Sequence, residues 1–133
     1  MNRHILLSPI GRSPGAVTGI YYALQEQGVE VDAVTLLATA MGAVQRSARI
    51  VQEELGRDKV QVLQLRTPNE REDTLDFDNE DAAVDFIRQV NAVLMAAYEK
   101  GNRIHLGISG GRSSMGALAT LSAYVYGVEG IYH

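Results

Sequence analysis

The chain has 133 residues, which at ~100–200 residues per domain makes one domain with a single core. Apolar residues make up 46 % and charged residues 21 %, ordinary proportions that exclude disorder as the main state. There is no cysteine, which excludes disulfides and thiolate chemistry, and within a net charge of −4 an acidic window at residues 70–85 speaks against a surface made to wrap a long nucleic acid.

The chain opens on Ile5-Leu6-Leu7, a run too short for a signal peptide and read here as a first strand. Ser13-Pro14 follows, the pattern of an N-cap with proline at the first helical position. Val17, Ile20, Tyr21 and Leu24 then recur at helical spacing until Gly28. Ala33 to Leu37 reads as a buried second strand. Met41, Val44, Ala48, Val51 and Leu55 form the next helical stripe, closed by Gly56. Val60 to Leu65 is a third strand. The stretch 66–79 is expected to be a loop, with Asn79 capping a helix whose first turn holds Glu80 and Asp81. Ala83, Phe86, Ile87, Val90, Val93, Leu94 and Ala97 supply the apolar face of that helix, and Gly101 ends it. Arg103 to Ile108 is a fourth strand. Ser109-Gly110-Gly111 turns into a last helix, whose expected inward stripe is Met115, Leu118, Leu121 and Val125. After Gly127, residues 130–133 start a fifth strand. No apolar run approaches the ~18 residues of a membrane span, so a cytoplasmic protein is expected.

The charge is unevenly spread. Residues 70–85 hold eight acids and only Arg71 as a base, so the other 117 residues carry +3. Ten of the twelve bases are arginine, the side chain suited to bidentate phosphate contacts. His4, His105 and His133 lie far apart and show no metal-ligand spacing; His105, inside an apolar strand, is expected in the core or an interface. Tyr21, Tyr22, Tyr124 and Tyr126 are expected in the core or an interface as well.

Strands alternating with helices imply an α/β protein: a Rossmann-like, doubly wound, mainly parallel five-stranded sheet with helices on both faces. The expected order is 3-2-1-4-5, with a ligand bound where the order reverses, between strands 1 and 4. The loops leaving those strands are the two most unusual segments of the chain. One is Ser8-Pro9-Ile10-Gly11-Arg12-Ser13-Pro14-Gly15, and the other is Ser109-Gly110-Gly111-Arg112-Ser113-Ser114. Each joins glycine, serine and one arginine ahead of a helix, the makings of an anion site. Neither matches a dinucleotide fingerprint or a P-loop. The second is similar to the Ser-Gly-Gly-x-Asp-Ser loop of ATP-pyrophosphatases, but Ser113 stands at the Asp position.

At these loops the sequence resembles the CARF domain, the CRISPR-associated Rossmann fold. The family's Gly-Thr-Ser-Pro-Gly is Gly11-Arg12-Ser13-Pro14-Gly15 here, with Arg12 in place of Thr. Its Gly-Gly-Arg/Thr-Lys-x-Met is Gly110-Gly111-Arg112-Ser113-Ser114-Met115, with Ser113 in place of Lys. The resemblance implies one CARF-like domain over residues 1–133, a homodimer, and a cyclic oligoadenylate ligand of type III CRISPR immunity. It implies a binding site of Ile10 to Pro14 and Ser109 to Met115. Two copies of Arg12 and Arg112 match the four phosphates of cyclic tetra-adenylate. Small CARF proteins resemble ring nucleases, which need no metal or cofactor because the ligand's own 2′-hydroxyl attacks. In that role Ser13 matches the catalytic serine, and Arg112 has to supply the charge of the missing lysine. The chain stops in its fifth strand, where a CARF effector domain would follow. The alternatives are a non-catalytic CARF sensor controlling a separate effector, and an unrelated mononucleotide-binding Rossmann domain.

Overall fold

The computed structural model describes residues 2–65 and 80–133. The expected loop 66–79 and the Asn79 cap lie outside the described residues. The elements are β1 (His4–Pro9), α1 (Gly15–Glu26), β2 (Ala33–Ala38), α2 (Gly42–Leu55), β3 (Val60–Gln64), α3 (Glu80–Lys100), β4 (Arg103–Gly107), α4 (Ser113–Tyr126) and β5 (Gly130–Tyr132).

The sheet has the order β3-β2-β1-β4-β5, and every pairing is parallel. The expected order and its reversal beside β1 are therefore observed. β1 is central because its residues can be buried on both faces. Leu6 joins the core under α1 and α2, while its neighbour Leu7 joins the core under α3 and α4. Leu36 and Leu37 of β2 divide in the same way. This is the period-two alternation of a strand, carried by apolar residues on both sides because helices cover both faces.

One helical expectation needs correction. Helix α4 does not turn Leu121 and Val125 inward. Its buried residues are Met115, Gly116, Ala119, Ser122 and Ala123, and Leu121, Tyr124 and Val125 are 63 %, 81 % and 76 % exposed. The reason is close approach. A Cβ on Gly116 would stand 2.9 Å from the Ile108 carbonyl oxygen, so the helix lies against β4 on its small-residue side. On α3, Ala83 and Val93 pack against the core as expected, beside buried Ala82, Phe86, Val90, Leu94 and Ala97. Tyr21 is buried as expected, whereas Tyr22 is 43 % exposed. Among the described residues, no helix is long and apolar enough to cross a membrane.

The histidines that the sequence sets 101 positions apart also meet. His4 Nδ1 lies 2.8 Å from His105 Nε2, and His105 Nδ1 lies 3.1 Å from the Tyr132 hydroxyl. His105 is 3 % exposed, a core position on the sheet face of α1. Burial, and then the charge of His4, lower its pKa, with Glu129 acting in the opposite direction. This chain of rings ties β1, β4 and β5 together away from the loops at the carboxyl ends of the strands.

Candidate functional site

The loops after β1 and β4 meet backbone to backbone. A Cβ on Gly11 would lie 2.9 Å from the Gly111 nitrogen and 3.0 Å from its Cα. A Cβ on Gly110 would run into the Pro9 carbonyl oxygen. Gly111 has φ +72°, in the left-handed region, and a Cβ there would stand 2.8 Å from Met115 Sδ. Gly11 and Gly110 require glycine because two chain segments share the space that a side chain would fill, and Gly111 because its φ is positive. Ile10 N donates to the Leu37 carbonyl at 3.0 Å, and Ser109 Oγ donates to the Ala16 carbonyl at 3.5 Å. These bonds extend the contact to β2 and α1.

Together the loops open on a cavity of about 480 Å³ at the carboxyl ends of the strands. Of the expected binding residues, Ile10, Gly11, Arg12, Ser13, Ser109, Gly110, Gly111, Arg112 and Met115 line it. Pro14, Ser113 and Ser114 do not. Ser113 and Ser114 begin α4 and are exposed outside the lining. Four lining residues escape the sequence reading: Ala16, Thr39, Met41 and Val44. Thr39 and Met41 come from the turn between β2 and α2, and Val44 from the first turn of α2. The available signal was positional, since β2 neighbours β1 and its carboxyl end had to face the same opening.

Arg12, Ser13 and Arg112 are exposed at this opening. Neither α1 nor α4 has an acid in its own first turn, where the positive end of each helix dipole lies. Two guanidiniums, a hydroxyl, glycine-rich backbone and two helix starts border one cavity. Such groups are the kind that hold anions in other proteins.

The expected Ser13 cap is absent. Helix α1 starts one residue later, with Pro14 as its N-cap at φ −64°, and no side-chain cap bond forms. Ser13 contributes its carbonyl instead, accepting from Ala16 N at 3.3 Å. Ser13 stands one position before the cap and is among the residues that line the cavity.

These features define a doubly wound parallel α/β protein with a cavity, bordered by two arginines, at its topological switch point. The chain belongs to the CRISPR-associated protein NE0113 family (Cas_NE0113), whose match covers residues 13–133. The matched segment takes in Ser13 and the whole second loop. No curated protein matches the chain.

Proposed function

We propose that this chain is a CARF-like domain, spanning residues 1–133, that binds a cyclic oligoadenylate of type III CRISPR immunity, cyclic tetra-adenylate first among them. We further propose that it cleaves the ring as a metal-independent nuclease in the cytoplasm. The observation that carries the reading is the contact of Gly11 with Gly111, which brings Arg12, Ser13 and Arg112 to one cavity. Membership of a CRISPR-associated family agrees with it.

The chemistry asks little of the protein beyond position and charge. A 2′-hydroxyl of the ligand attacks the neighbouring phosphorus, and a bond forms from O2′ to phosphorus. The bond from phosphorus to O5′ breaks, and O5′ takes up a proton equivalent to the one that the 2′-hydroxyl loses. The products carry a 2′,3′-cyclic phosphate and a 5′-hydroxyl. Ser13 orients the attacking oxygen or donates to a phosphate oxygen, and Arg112 faces the charge that grows on the phosphate.

The ligand is a ring with two-fold symmetry, so the reading includes a homodimer. Helix α4 supports it. The helix carries no charged residue from Ser113 to Tyr126 and is apolar on all sides, the composition of a helix covered on all sides. Yet Leu121, Tyr124 and Val125 stand open, with Tyr98 of α3 also 75 % exposed. A second copy packed on this face about an axis along α4 would set both Arg112 loops at the same end.

A non-catalytic sensor is the second reading. It is favoured by Ser113, which replaces the family lysine and lies outside the cavity lining. One experiment separates the two: incubation with cyclic tri-, tetra- and hexa-adenylate in EDTA, with chromatography of the products. A linear product ending in a 2′,3′-cyclic phosphate supports the nuclease. Binding without product supports the sensor. No binding of any ring overturns both.

A further inference from the structure

His4, His105 and Tyr132 are titratable side chains that the proposed chemistry leaves unused, and they join β1, β4 and β5. β5 is the last strand of the sheet and has three residues. Gly130 brings no side chain, and Ile131 is 42 % exposed. Tyr132 is therefore the side chain that fastens the strand, and it packs against the core under α1 and α2. A Cβ on Gly130 would run into the Tyr132 hydroxyl, so the side chain folds back across Gly130. There the hydroxyl meets His105 Nδ1 at 3.1 Å, and His105 Nε2 faces His4 Nδ1 at 2.8 Å. The main chain of Tyr132 is tied as well, since its carbonyl accepts from Ile108 N at 2.9 Å. Ile108 directly precedes Ser109, the start of the second loop.

Uncharged, this chain of groups closes in either direction. Tyr132 can donate to His105 and His105 to His4, or both bonds can run the other way. A proton added to His105 changes the balance. It puts charge at a position that is 3 % exposed, the larger cost, and a charged His4 opposes it further. With both rings charged, two N–H donors face each other across 2.8 Å. Glu129 favours a charged His105, but Arg103 Nε stands 3.8 Å from its carboxylate. Asp32 accepts from the main-chain nitrogen of His4 at 2.8 Å. On α1, the Tyr21 hydroxyl accepts from Lys59 Nζ at 2.9 Å, Tyr22 is bonded to Glu54, and Glu26 is exposed, as is His133 beside Tyr132.

We propose that His4, His105 and Tyr132 form a proton-sensitive latch on β5. Charged histidines release Tyr132, β5 leaves the edge of the sheet, and the Ile108 amide ahead of the second loop loses its partner. The latch belongs to the edge of the sheet and holds whatever the cavity binds. The open form takes up the proton at the ordinary histidine value of about 6.5, and the closed form takes it up less readily, so opening grows as pH falls. For one histidine the opening constant rises up to about tenfold from about pH 7.5 to about pH 5.5.

The test is amide-resolved native-state hydrogen exchange of wild type, Tyr132→Phe and His105→Leu at those two pH values, with and without urea below the unfolding transition. Glu129 N, which donates to the Ile104 carbonyl at 2.8 Å, and Ile108 N report on β5. Ile10 N and Leu65 N, which donate to the Leu37 and Ala38 carbonyls, are the controls. In wild type, protection factors at the two β5 amides should fall up to about tenfold on acidification and ignore the urea, because a short strand exposes little surface. In Tyr132→Phe the same amides should lose protection several-fold already at the higher pH, with the controls unchanged. In His105→Leu their response to pH should vanish. β5 amides that share the urea dependence of the controls at the lower pH open only with the whole fold, and the latch is refuted. It is refuted equally by a local opening that ignores pH, by a Tyr132→Phe chain protected like wild type, or by a His105→Leu chain that keeps the wild-type response.

Discussion

The contact between the two glycine loops can be tested by adding one carbon at a time. In Gly11→Ala the new Cβ would sit 2.9 Å from the Gly111 nitrogen and 3.0 Å from its Cα. Both are backbone atoms, so no side chain can swing away, and the loops have to separate by several tenths of an ångström. Overpacking of this kind costs ~1–3 kcal/mol. Taking ~2 kcal/mol, and ~3–5 °C per kcal/mol for a domain of this size, the melting temperature should fall by about 6–10 °C. Gly110→Ala directs its carbon at the Pro9 carbonyl oxygen and should cost the upper end of that range or more. Gly19→Ala is the control. It lies within α1, nothing stands within 4 Å of its added carbon, and it should gain ~0.5–1 kcal/mol from helix propensity. Thermal melts followed by circular dichroism, with urea midpoints beside them, give the ranking Gly19→Ala, wild type, Gly11→Ala, Gly110→Ala. If Gly11→Ala and Gly110→Ala both fall within ~0.5 kcal/mol of wild type, the loops do not touch as described.

Ser13→Ala should change stability by less than ~0.5 kcal/mol, since no cap bond is lost, yet slow single-turnover cleavage in EDTA by ~10²–10³. A variant as fast as wild type would strip Ser13 of its proposed role. Arg112→Ala should weaken cyclic tetra-adenylate by ~1.5–3 kcal/mol at fixed salt, the scale of a charge-assisted hydrogen bond, and unchanged affinity would mean that another group holds the phosphate. The pair Leu121→Glu and Tyr124→Glu places charge on the exposed side of α4. Light scattering should then give the mass of one chain where wild type gives two; a persistent dimer mass would put the interface elsewhere. His105 makes stability fall on acidification. Its native pKa is lowered, so the unfolded chain binds the proton first, and its contribution is complete above the ordinary value of about 6.5. That contribution is lost as pH drops through the native value. Urea midpoints from about pH 7.5 to about pH 5 should fall less steeply for His105→Leu than for wild type, and equal slopes would rule out the histidine as the source.

Element order, strand order and the switch point were legible in the sequence. They follow from local periodicity and from the few ways a chain of alternating strands and helices can cover one parallel sheet. Eight of the residues around the cavity were legible too, because two short windows rich in glycine, serine and arginine ahead of a helix are uncommon enough to stand out, and Met115 came from the resemblance to a family motif. What the sequence left undecided depends on contacts between distant segments. Helix α4 is apolar on every side, so its residues could not say which side faces the sheet. The fit of Gly116 against Ile108 decided it and left Leu121, Tyr124 and Val125 outside. Ser13 before Pro14 carries the local pattern of a cap, but α1 begins at the next residue and its hydroxyl makes no cap bond. Thr39 and Met41 bear no motif, and His4 and His105 bear no spacing. They acquire a place only when β2 and β4 are laid against β1, because parallel pairing joins residues that chain distance keeps apart.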